Sequence, residues 1–169
     1  MTTNARRKGK RAESLVVKML NERFKHLPIE SGRFSRTVGS GNRFEQGVVL
    51  SMAARHCYCA DITAPDGFRW SLESKSGYRD IAISSMLDGK RLAFDRLLEQ
   101  AVKDAERTNR KPALVFRQNN KPPLVFVRYG ELPKDLKFYF RYDDWEAITF
   151  KDWLKIPDDS YFFDGLKLN

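Results

Sequence analysis

The sequence predicts one α/β domain in which a mixed central β-sheet is flanked by helices. Three observations carry this. Two long segments, about residues 6–24 and 86–108, repeat apolar residues at helical spacing. Two short apolar runs, Ala113-Leu114-Val115-Phe116 and Leu124-Val125-Phe126-Val127, are separated by the turn-rich Gln118–Pro123, which reads as a hairpin at the centre of a sheet. A further run alternates Phe68, Trp70 and Leu72 with Arg69, Ser71 and Glu73, the period of two expected of a strand. With 169 residues, 41% of them hydrophobic, the chain can bury its own core. It shows no internal repeat and no low-complexity linker. No stretch of about eighteen apolar residues suggests a membrane span, and no leader suggests export.

In the first helix, Val16, Val17, Leu20 and Phe24 form an apolar arc, and Glu13 falls within it. Burying an unpaired carboxylate is costly. Glu13 must therefore reach solvent, meet an arginine or point at a cation. Ahead of it, Arg6, Arg7, Lys8, Lys10 and Arg11 make residues 1–11 a basic N-terminal arm. After the helix comes Thr37-Val38-Gly39-Ser40-Gly41-Asn42, between Arg36 and Arg43. Gly39 and Gly41 permit positive φ and close backbone approach. A Ser40 hydroxyl and free amides flanked by arginines suit a phosphate.

Next, Cys57–Thr63 reads as a strand, closed by the turn residues Ala64-Pro65-Asp66-Gly67. A hairpin there would bring Asp61 beside the strand that carries Glu73-Ser74-Lys75. Residues i and i+2 of a strand share a face, so Glu73 and Lys75 project together and Ser74 turns away. An exposed Glu-x-Lys is by itself an ordinary solvated strand face. Two carboxylates and a lysine on adjoining strands suit a hard divalent cation at a phosphate.

The second helix, Met86–Thr108, has Phe94, Leu97, Leu98, Ala101, Val102 and Ala105 as its apolar face, edged by Arg96, Gln100, Lys103 and Arg107. That ridge can be solvated surface or can edge a polyanionic ligand. Two short strands, 138–142 and 147–150, and a short helix beginning near Asp152 complete residues 130–169, a C-terminal extension of the core. Cys57 and Cys59 face the same side of one strand, where a disulfide would be strained. With His56 and the remote His26 they fall short of a zinc set. Two free thiols fit a reducing cytoplasm.

Charge adds a direction. The net charge is +9, and residues 1–43 hold eleven Lys+Arg against three Asp+Glu. From Asp143 onward seven acids face three bases, so the C-terminal end is expected to turn away from a polyanion or pack on a basic surface. A basic segment leading into clustered carboxylates favours a nucleic-acid substrate.

With these residues assembled, the chain resembles the PD-(D/E)xK nuclease superfamily, and within it the Holliday junction resolvases of archaea and their phage-encoded relatives. The resemblance rests on Arg7-Lys8-Gly9-Lys10-Arg11-Ala12-Glu13, Gly39-Ser40-Gly41, Asp61-Ile62 and Glu73-Ser74-Lys75-Ser76, and covers about residues 6–128. Two features depart from the family pattern. About twenty residues separate the Gly-Ser-Gly turn from Asp61, and Ala60 rather than Pro precedes Asp61.

The resemblance implies a restriction-endonuclease-like core and Mg²⁺-dependent hydrolysis of phosphodiester bonds in branched DNA, with Mn²⁺ as a substitute. Asp61 and Glu73 would hold the metal, with the Ser74 carbonyl as a further ligand and Glu13 bound directly or through water. Lys75 would orient the attacking water. Ser40, Gly39 and Gly41 would grip a phosphate, Arg6, Arg7, Lys8, Lys10, Arg11, Arg36 and Arg43 would line the DNA path, and Gln100 would approach the site. A homodimer would make two matched cuts in a four-way junction. The alternatives are a phage or repair nuclease acting on ordinary duplex, a non-catalytic DNA-binding module, and an RNA-directed protein.

Overall fold

The computed structural model describes residues 3–27, 33–37, 60–77, 92–137 and 139–165. Helix α1 spans Thr3–Arg23 and buries Ala12, Val16 and Leu20, one residue per turn along a single stripe that Phe24 continues just past its end. The helix starts earlier than the sequence pattern suggested. Residues 3–11, expected as an arm, are its first turns, and Arg7, Lys8, Lys10 and Arg11 are exposed on it.

A two-residue ribbon follows: β1 (Ser35–Arg36) runs antiparallel to β2 (Ile62–Thr63). The main sheet contains β3 (Trp70–Ser76), β4 (Lys111–Arg117), β5 (Leu124–Arg128), β6 (Phe140–Tyr142) and β7 (Trp145–Thr149), in the order β3-β4-β5-β7-β6. β3 and β4 are parallel, the other neighbours antiparallel, so the sheet is mixed as expected. Helix α2 (Leu92–Thr108) lies in the β3–β4 crossover, which parallel strands require. It ends on Asn109, whose φ of 52° and the Arg110 N–H to Ala105 C=O bond of 3.0 Å close a left-handed cap. Met86–Arg91, read as its first turns, lie outside the described residues. α3 (Phe150–Trp153) is one short turn capped by Thr149.

The two faces of the sheet bury separate clusters. Trp70, Leu72, Ala113, Val115, Val125 and Ile148 pack under α1. Leu114, Phe116, Phe126 and Ala147 pack under Phe94, Leu97, Leu98 and Ala101 of α2. This assigns side-chain direction along β3. In the β3–β4 register Leu72 lies opposite Ala113 and Glu73 opposite Leu114, so Glu73 and Lys75 stand on the α2 face.

The C-terminal residues are woven into the core. Phe162 and Phe163 are buried against Phe24, and Phe163 also against Phe68, at ring-centroid distances of 5.0–5.1 Å. Arg23 clasps the same segment, donating to the Leu154 and Ile156 carbonyls and pairing with Asp159 at 2.7 Å, while His26 contacts the other Asp159 oxygen. Phe162→Ala should therefore destabilise the protein by about 3–5 kcal/mol. A shift in the urea midpoint worth less than about 1 kcal/mol would show that this segment is peripheral.

The segment also explains one correction. Among the described residues the expected hairpin between the Asp61 run and β3 is not seen: β2 pairs with β1, and β3 pairs with β4 alone. The backbone beside Phe68 and Arg69 is taken by the chain end. Phe68 bridges Phe163, Arg69 N–H donates to the Phe162 carbonyl at 2.8 Å, and Asp164 N–H to the Gly67 carbonyl at 2.7 Å. Gly67, at φ 75°, fits this close approach, since a Cβ there would sit 3.0 Å from the Asp164 carbonyl oxygen.

Candidate active site

Asp61 reaches β3 with its side chain instead of its backbone. Its Oδ2 accepts the Ser74 N–H at 3.0 Å, filling the edge-strand donor that a neighbouring strand would otherwise satisfy. Ala60 holds it there from the left-handed region, at φ 61°. Proline cannot adopt that φ, so the Pro of the family pattern would not fit this backbone. The Asp61 carbonyl accepts the Thr37 N–H at 3.0 Å, so the ribbon fixes its backbone as well.

Lys75 joins the two carboxylates. Its ammonium lies 3.4 Å from Asp61 Oδ2 and makes an ion pair with Glu73 Oε1. Glu73 is 1% exposed. Its Oε1 meets the Lys75 ammonium, a contact that is ionic once the carboxyl loses its proton, while Oε2 has no hydrogen-bond partner among the described residues. Burial pushes the Glu73 carboxyl up to about 8, the Asp61 charge pushes the same way, and Lys75 opposes both. A buried carboxylate in this state costs stability unless a cation meets it.

A divalent metal fits these residues. The donors are hard carboxylate oxygens, which Mg²⁺ prefers, and Glu73 presents a buried Oε2 without a hydrogen-bond partner among the described residues. The set has two acids in place of three: among the described residues no group of three His, Cys, Asp or Glu side chains forms a metal-binding cluster. Glu13 instead meets Arg36, Oε2 to Nε at 2.8 Å. Of the outcomes open to a carboxylate on that helix face, the structure has the arginine.

Asp104 on α2 is a neighbour that pattern reading passed over. It is 8% exposed and accepts from Arg107 Nη1 at 3.0 Å. Burial raises its pKa, Arg107 lowers it, and the charges of Asp61 and Lys75 are also felt there. The signal was present in the sequence, since Asp104 interrupts the apolar stripe of Leu97, Ala101 and Ala105 just as Glu13 interrupts that of α1. Gln100 lies one turn before Asp104 and is partly buried.

The basic row of α1 extends over the end of β3. A Cβ on Gly77 would be 3.8 Å from Lys8 Cδ, so this lysine stem lies two residues beyond Lys75. Arg36 stands opposite Ile62 in the ribbon. Gly39, Ser40, Gly41 and Arg43 lie outside the described residues, as do His56, Cys57 and Cys59 and the side chain of Arg6. Among the described residues, no helix is long and apolar enough to cross a membrane.

No curated protein and no solved structure matches the chain. A family model described as "phage putative PDDEXK endonuclease" matches residues 4–161, a span that takes in nearly all of α1, the ribbon and the whole sheet, and ends just before Phe162 and Phe163. A strand-borne Glu-x-Lys, an Asp delivered to its edge and a match over nearly the full length make one conclusion: the chain belongs to this phage family of PD-(D/E)xK endonucleases.

Proposed function

We propose that the protein is a Mg²⁺-dependent DNA endonuclease that cuts branched DNA, four-way junctions above all, as a homodimer. The observation that carries the metal dependence is the buried Glu73 carboxyl, whose Oε2 has no hydrogen-bond partner among the described residues and whose Oε1 shares one ammonium with Asp61. Asp61 and Glu73 would hold the metal, with the Ser74 carbonyl as a further ligand; Mn²⁺ would substitute. When bound, the metal supplies charge neutralisation at the phosphate and a more acidic water.

The chain's own groups do the rest. Ser74 N–H fixes the Asp61 carboxylate against the strand edge, so its position does not depend on a flexible rotamer. Lys75, held by both acids, places a cation where negative charge develops on the phosphate and can orient the attacking water. Arg7, Lys8, Lys10 and Arg11 on α1 bind the backbone without reading sequence. The preference for junctions rests on the resemblance to resolvases: two copies would meet two phosphates at a fixed separation.

The test is a cleavage panel of labelled four-way junction, linear duplex, single-stranded DNA and structured RNA, each with and without Mg²⁺. Junction cleavage that needs Mg²⁺ and resists excess unlabelled duplex is the expected result. If duplex competes equally and the protein runs as a monomer, it is a general phage endonuclease with the same catalytic residues. If RNA is the preferred substrate, the DNA reading falls.

A further inference from the structure

Glu13 and Arg36 are joined in a way that the metal-ligand expectation for Glu13 does not explain. Glu13 stands on α1, on the helix side of the sheet where Leu72 is buried, whereas Glu73 stands on the α2 side. Its side chain is 18% exposed and its Oε2 takes Arg36 Nε at 2.8 Å. Arg36 is paired across the ribbon with Ile62, the residue after Asp61, and the next residue, Thr37, is hydrogen-bonded to Asp61 itself. The Arg36 side chain is 36% exposed. Its Nε is the atom engaged by Glu13, which leaves the two Nη groups as further donors at the tip.

An arginine held at Nε by a carboxylate has its fork fixed in one plane, and that fork matches the oxygens of a phosphate. We infer that Glu13 is a positioning residue: it orients Arg36 to grip a DNA phosphodiester beside the ribbon that leads from Asp61. The phosphate is gripped at the tip of Arg36 while Glu13 holds its stem. The exposed cations of α1 continue the same positive surface from the preceding turns of the helix. The inference rests on the endonuclease reading for its substrate and assigns Glu13 a role outside the metal shell.

The two roles respond differently to conservative change. A glutamine at position 13 keeps an oxygen that can accept the Arg36 Nε–H but is a poor ligand for Mg²⁺. Glu13→Ala should lower kcat/KM about tenfold, mostly through KM, with the Mg²⁺ concentration for half-maximal rate unchanged. Glu13→Gln should recover most of that loss. In an Arg36→Ala background, Glu13→Ala should add little, because the two residues act as a unit. A Glu13→Gln variant as inactive as Glu13→Ala, a requirement for much higher Mg²⁺, or fully additive losses would overturn the inference.

A metal-free arm separates this inference from the endonuclease reading. Binding of labelled duplex to the full chain in EDTA is measured across a salt series. Arg36→Ala should reduce the slope of log K against log salt by about 0.9, the value of one phosphate contact on duplex DNA. An unchanged slope would overturn the inference even if the wild type cleaves DNA. A reduced slope in a protein that cleaves nothing would support the contact and count against the endonuclease reading alone.

Discussion

Replacing Asp61 or Glu73 by alanine should lower Mg²⁺-dependent cleavage by at least about a thousandfold, near 4 kcal/mol of transition-state stabilisation. Each change removes one of the two carboxylates that share the Lys75 ammonium. Binding to DNA in EDTA should be intact or tighter, because affinity comes from the cations and a repulsive charge is gone. Lys75→Ala should stop cleavage as well, since it leaves Asp61 and Glu73 facing each other without a cation. The measurement is single-turnover cleavage at saturating enzyme, with binding followed separately. If Asp61→Ala cuts at the wild-type rate, the contact of Asp61 with Ser74 and Lys75 is structural only and the catalytic role assigned to it is wrong.

The second large effect is on stability. In the fold without metal the Glu73 carboxyl is pushed up to about 8 by burial, whereas in the unfolded chain it ionises near its ordinary value of 4.5. Between those two values the folded state carries the extra proton, so stability falls as pH rises through this window. Glu73→Gln imitates the protonated acid and removes the penalty. In EDTA the variant should match the wild type near pH 4.5 and exceed it by roughly 2–4 kcal/mol at pH 8, less than the full shift implies because water relaxes buried charges. Urea midpoints of the two proteins at both pH values decide it. A stability difference that does not grow with pH would mean that Glu73 is already well paired. Mg²⁺ should stabilise the wild type at pH 8 through preferential binding to the folded state, and Glu73→Gln should lose that response.

Much of the sheet follows from local pattern. β4 and β5 are continuous apolar runs because both of their faces are covered, by α1 and α2. Their turn and the strands β6 and β7 are legible for the same local reasons. The joint projection of Glu73 and Lys75 needs only the period of two and appears as expected. Asp61 is the instructive case. Its proximity to Glu73 is legible, but the hairpin offered as the reason is not the reason, because Phe162 and Phe163 occupy the backbone beside Phe68 and Arg69. That competition spans almost a hundred residues of sequence, and no local turn signal carries it. Residues 130–169, read as an extension, supply part of the central core through the same aromatic rings.

The sequence by itself determined the identities: an α/β chain, an acid-rich cluster next to a basic helix, and a Glu-x-Lys on a strand, all written in spacing and composition. The tertiary structure decided the pairings. Whether Glu13 met solvent, an arginine or a cation depended on where β1 came to rest, and β1 put Arg36 against it. Asp104 joined the electrostatic neighbourhood of Asp61 and Lys75 only because α2 packs its apolar stripe on the face of β3 that carries Glu73. The acidity of Glu73 is likewise a property of the fold, since desolvation depends on every layer that closes over the carboxylate and not on the residues beside it in the chain.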